Sequence, residues 1–105
     1  MDSVEFKKFV VEKVEELKAR DIVDIDVTGK SSVTDCMLVC TGNSKRHVVS
    51  IAQNVALESK KAGHAALSVE GQADGEWVLV DLGDIVVHVM QDEIRDFYQL
   101  EKLWA

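Results

Sequence analysis

Proline is absent from this 105-residue chain, cysteine occurs only twice, and aromatic residues make up 6% of it. No repeat, low-complexity tract or Ser/Gly-rich linker parts it, so residues 1–105 are expected to form a single domain. No apolar run approaches the 18 or so residues of a membrane span, and the N-terminus lacks the hydrophobic stretch of a signal peptide. A cytoplasmic protein without membrane contact is the expectation. Cys36 and Cys40 fall in one predicted strand, where four residues span about 13 Å at roughly 3.3 Å each. A disulfide needs Cα atoms within about 7 Å, and C-x₃-C without a nearby His gives no zinc signature. Both cysteines are expected to be buried small hydrophobes in a reducing compartment.

Positive charge is scarce in one part of the chain. Residues 1–64 balance ten Lys/Arg against ten Asp/Glu, whereas residues 65–105 hold only Arg95 and Lys102 against nine acids. The whole net charge of −7 therefore lies in the C-terminal 40%. Such a surface is repelled by phosphate backbones, which argues against DNA binding, and suits a basic partner.

Hydrophobic content is 47%, that of a globular domain with one modest core. Asp2 and Glu5 fit a capping box ahead of Phe6, Val10, Val14 and Leu17, which follow at helical spacing. Over Ile22–Thr28, Val23, Ile25 and Val27 alternate with Asp24 and Asp26 as in a half-buried strand, and Asp35–Thr41 is apolar on both faces like a central one. Ser44 is placed to cap a second helix carrying Val48, Ile51, Ala52 and Val55, with Gly63 past its end and a short strand near Ala65–Val69.

The stretch 76–90 reads as two strands. With Leu82-Gly83 as a two-residue loop, Trp77 lies opposite His88 and Leu79 opposite Val86. One face then holds Val78, Val80, Leu82, Ile85, Val87 and Val89; the other holds Trp77, Leu79, Asp81, Val86, His88 and Met90. The aliphatic face is core, and the mixed face must be covered by the last helix or a partner. That helix starts near Asp92 and carries Ile94, Phe97, Tyr98, Leu100, Leu103 and Trp104. The pattern describes a single α/β domain with a mixed five-stranded sheet and flanking helices.

Asp24-x-Asp26 places two carboxylates about 7 Å apart on one strand face, and Gly42-Asn43-Ser44 opens a helix. Nucleotidyltransferases combine a phosphate-binding turn with a carboxylate pair for magnesium, but there the pair follows the turn. Polar residues on the wet side of a strand explain the aspartates more simply. His47 and His64 sit at the ends of the second helix and are expected to be solvated. His88, with Asp81 as orienter, could be a base, yet no nucleophile accompanies it. Phosphate-loop, dinucleotide and metalloprotease motifs are absent. What remains is Trp77, Tyr98 and Trp104 beside an acidic surface, the composition of a protein-binding hot spot, with Phe97 assigned to the core.

Several segments together resemble the RsfS/Iojap family of ribosomal silencing factors: Asp24-Ile-Asp-Val-Thr-Gly29, Thr34-Asp35, Cys40-Thr-Gly-Asn-Ser44 with His47, Glu70-Gly71, Gly75-Glu-Trp-Val-Leu-Val-Asp-Leu-Gly-Asp84, Val86-Val-His-Val89, and Arg95-Asp-Phe-Tyr-Gln-Leu-Glu-Lys-Leu-Trp104. The lack of proline around Ala65–Leu67 departs from the family pattern. The resemblance implies a nucleotidyltransferase-like fold without its catalytic motif, no enzymatic activity, no metal and no cofactor. It implies binding to the large ribosomal subunit through ribosomal protein L-fourteen, sterically blocking the small subunit, through Trp77, Asp81, His88, Tyr98, Leu100 and Trp104. A homodimer of the free protein is compatible with such a face.

Overall fold

Asp2 caps the first helix by accepting the Glu5 amide at 2.8 Å, and α1 (Ser3–Glu16) buries Phe6, Val10 and Val14 along one stripe. The computed structural model describes residues 1–104. Lys18 and Asp21 take positive φ and turn the chain into β1 (Arg20–Asp26), which is irregular between Arg20 and Val23. β1 is an edge strand, and the irregularity leaves Val23 exposed at 36% while Ile25 and, just past the strand, Val27 are buried. The expected inward trio is thus a pair. All six residues of β2 (Cys36–Thr41) are buried, as its two apolar faces predict.

α2 (Lys45–Lys61) is capped by Ser44 and buries Val48, Ile51, Ala52 and Val55. β3 (Ser68–Glu70) is shorter and later than the sequence predicts. β4 (Trp77–Asp81) and β5 (Ile85–Met90) complete a sheet in the order β1-β2-β5-β4-β3, in which only β2 and β5 pair in parallel. The mixed five-stranded sheet is the one the sequence predicts.

The β4–β5 register differs by two residues. Trp77 pairs with Met90, Leu79 with His88 and Asp81 with Val86. The loop is Gly83-Asp84, because the Leu82 amide bonds the Ile85 carbonyl at 2.9 Å and Gly83 takes φ 89°. A positive φ at the first loop position is the glycine requirement of a type II′ turn. A slip of two preserves side-chain parity, so each strand's assignment to faces stands. Val78, Val80, Ile85, Val87 and Val89 join α1 and α2 in the larger core.

The last helix is two. α3 (Asp92–Tyr98) ends at Gln99 in the left-handed conformation, and α4 (Leu100–Trp104) leaves in a new direction. Neither was separable by periodicity, since the break rests on one residue that is not glycine. α4 closes a smaller core on the second sheet face, made of Ile25, Val27, Met37, Val39, Met90 and Leu100, against which Trp77, Ile94 and Trp104 pack. Among the described residues no helix is long and apolar enough to cross a membrane.

Candidate functional site: an aromatic ladder

On the second sheet face, four rings run from the interior to the surface. His88 is only 7% exposed, and its Nδ1 accepts the Trp77 indole N–H at 3.0 Å. The Trp77 and Tyr98 rings lie 5.0 Å apart, tilted at 51°, and Tyr98 meets Phe97 edge-on at 5.0 Å. These are favourable aromatic geometries. Tyr98 is exposed, and Phe97 reaches 79% exposure, with Leu103 nearby in sequence at 72%. Burial pushes the His88 imidazole down to about 4, so it is neutral, as an Nδ1 acceptor must be.

Of the residues assigned to a partner face, Trp77, His88 and Tyr98 are brought together, and Trp104 lies half-buried on the smaller core. Leu100 is buried at the centre of that core, because α4 turns its one inward position onto Ile25 and Met37's cluster. Asp81 lies at the far end of β4, where its Oδ1 accepts the Gly83 amide at 2.9 Å and holds the hairpin loop. It does not orient His88. Both residues serve the fold.

Phe97 is the residue the sequence places wrongly. It follows Ile94 by three and so reads as inward, but α3 buries none of its residues. A signal was present: Glu93, four residues earlier, shares its helix face, and Asp96 adjoins it. Carboxylates gather beside it as well. Glu76, Asp92 and Glu93 line a cleft of about 220 Å³ with Gly42, Asn43 and Gln91, where Asp92 is paired to Arg20 at 2.7 Å.

The constellation around Asp24 is closed on itself. Lys7 Nζ lies 2.7 Å from Asp24 Oδ2, and the Cys36 thiol donates to Asp24 Oδ1 at 3.1 Å. Burial acts to raise the Asp24 pKa, but the hydrogen bonds from Lys7 and Cys36 outweigh it and the net shift is downward. Asp26 accepts the Thr28 amide at 2.9 Å, which lowers its pKa. Burial, and next the bond to Asp24, push the Cys36 thiol to about 12, and burial does the same to Cys40. Neither thiol is a ready nucleophile, and neither forms a disulfide. Among the described residues no group of three or more His, Cys, Asp and Glu is arranged to hold a metal.

The Gly42-Asn43-Ser44 turn is occupied internally too. The Asn43 amide donates to His47 Nδ1 at 2.8 Å, the His47 amide to Ser44 Oγ at 3.0 Å, and His47 Nε2 bonds the Leu17 carbonyl at 2.6 Å. These are amides a phosphate would need. His47 is therefore a structural latch rather than a solvated side chain, and His64 stacks on Phe6 at 4.5 Å.

A family model described as "Ribosomal silencing factor during starvation" (RsfS) matches residues 1–105. The chain belongs to the RsfS family. A "Ribosomal silencing factor RsfS" from Haemophilus influenzae is 50% identical over 98 residues, covering 93% of this chain and 96% of its own. Crystal structures agree. A Chromobacterium violaceum protein superposes with a TM-score of 0.96 at 42% identity, covering 99% of this chain and 87% of that one. A Bacillus halodurans protein gives 0.88 at 37%, covering 97% and 95%. The RsfS assignment carries a ribosomal silencing role in translation, which is regulatory rather than catalytic.

Proposed function

We propose that this protein represses translation by docking on the large ribosomal subunit through ribosomal protein L-fourteen, where its bulk blocks the small subunit and silences translation under nutrient limitation. The observation that carries this reading is the aromatic ladder that ends in an exposed Phe97. Large rings held by packing on one side and open on the other are the anchors that dominate protein interfaces. Tyr98, Phe97, Leu103 and the free edge of Trp104 would touch the partner, with Trp77 and His88 behind them. Glu76, Glu93 and Asp96 around the rings favour a basic protein and disfavour ribosomal RNA. Steric occupancy needs no covalent chemistry, in keeping with an aspartate cluster and a glycine turn whose polar groups are engaged within the chain. The free protein would act in the cytoplasm and could pair through the same face as a homodimer.

The test is sedimentation with isolated large subunits, isolated small subunits and joined ribosomes. Co-migration with large subunits alone is expected. Equal binding to all three would overturn the reading.

A further inference from the structure

The rings that face outward all sit on two short helices that have little holding them in place. α3 has seven residues, none buried, and no side-chain cap at its start; α4 has five, of which only Leu100 is buried. Helices this short do not persist on their own. Gln99 between them takes φ 47°, a conformation disfavoured for any residue but glycine, so the corner must be held from outside. One side chain spans it.

Arg95 is 12% exposed at its side chain and uses its guanidinium as a two-pronged donor. Nη1 donates to Thr41 Oγ1 at 2.8 Å, on the fully buried last residue of β2, and Nε donates to Glu101 Oε1 in the first turn of α4. The Arg95 carbonyl also accepts the Gln99 amide at 2.9 Å. A single residue of α3 thus ties the corner to the sheet behind it and to the helix after it. The planar guanidinium fixes the angle between its two acceptors, which a lysine could not do. Around the clamp, Tyr98 lies one helical turn from Arg95, and Leu103 and Trp104 lie on the helix that Glu101 begins.

We propose that Arg95 is the positioning residue of the docking face. Its bonds to Thr41 and Glu101 set α4 against α3 across Gln99, so that the rings on the two helices meet the partner in one prearranged geometry. The inference rests on the docking reading above and adds how the face is kept rigid. A partly buried ion pair adds little net stability but fixes geometry, and a surface ordered before contact loses less entropy on binding. The clamp therefore shows in affinity more than in melting temperature.

Glu101 is the milder handle, since it is partly exposed and its removal leaves Arg95 its bond to Thr41. Glu101→Leu should bind isolated large subunits about tenfold more weakly, with the α4 amides exchanging hydrogen faster and the melting temperature nearly unchanged. Glu101→Gln keeps a carbonyl oxygen for Nε and should recover most of the affinity. Arg95→Lys, one ammonium for two separated acceptors, should resemble Glu101→Leu. Tyr98→Ala is measured alongside. Wild-type affinity in Glu101→Leu with weakened Tyr98→Ala would overturn the clamp and leave the docking face standing. An equal loss in Glu101→Gln and Glu101→Leu would assign Glu101 to charge contact with the partner and overturn the clamp as well. Unchanged affinity in Tyr98→Ala would remove the docking reading and this inference with it.

Discussion

Two residues separate folding from binding most cleanly. Val80 is fully buried in the larger core and Phe97 is 79% exposed at the end of the ladder. Val80→Ala should destabilise the fold by about 1–3 kcal/mol through lost methyl burial and the cavity left behind. Phe97→Ala removes exposed surface, so its stability should stay within about 0.5 kcal/mol of the parent. Its binding to large subunits should weaken by about 2 kcal/mol or more if it is an anchor. Denaturant unfolding read beside subunit sedimentation checks both, and a Phe97→Ala variant that melts early yet binds normally would place the ring in the fold. The inward position of Val80 was legible because strand alternation has a period of two and its neighbours Val78, Val87 and Val89 repeat it. Phe97 was not, since helical spacing from Ile94 points it inward and only the tertiary placement of α3 decides otherwise. Arg95 was equally hidden: its partner Thr41 lies 54 residues away.

Elements were read more securely than their joints. Capping residues announced α1 and α2, and the central position of β2 followed from its two apolar faces. The β4–β5 loop and the α3–α4 corner depend on the backbone at Gly83 and Gln99, which composition describes less well. The hairpin carries its own pH sensor. Trp77 on β4 donates to His88 on β5, and that bond requires a neutral imidazole. In the unfolded chain His88 protonates near its ordinary value of 6.5, but in the fold only near 4. As pH falls from 6.5 toward 4 the unfolded state therefore binds more protons, and stability is lost over that window by up to about 3 kcal/mol. Above pH 6.5 this group contributes no dependence. Urea unfolding at pH 7, 6 and 5 should show a steeper acid decline in the parent than in His88→Gln. Parallel declines would mean that the proton goes elsewhere.

At the scale of the whole molecule, charge and topology have separate consequences. The sequence places its net charge in the last 40% of the chain, and the fold gathers part of it, Glu76, Asp92 and Glu93, around one cleft at the start of α3. If that end approaches a basic protein first, the association rate should fall as salt rises, because steering is screened beyond about 8 Å at physiological ionic strength. Stopped-flow mixing with large subunits from low to high salt measures it, and a flat rate would leave the charge with solubility alone. The topology governs how the protein comes into being. β2 receives its parallel neighbour from β5, with Cys36 paired to Ile85, 49 residues downstream. During synthesis the most apolar strand of the chain must wait, one flank bare, until the segment through Met90 has left the ribosome. Pairings across such separations are slow to form and expose sticky edges meanwhile. A protein with this strand order cannot mature piecemeal behind the growing end, so its nascent chain is a natural client for whatever shields unfinished sheets.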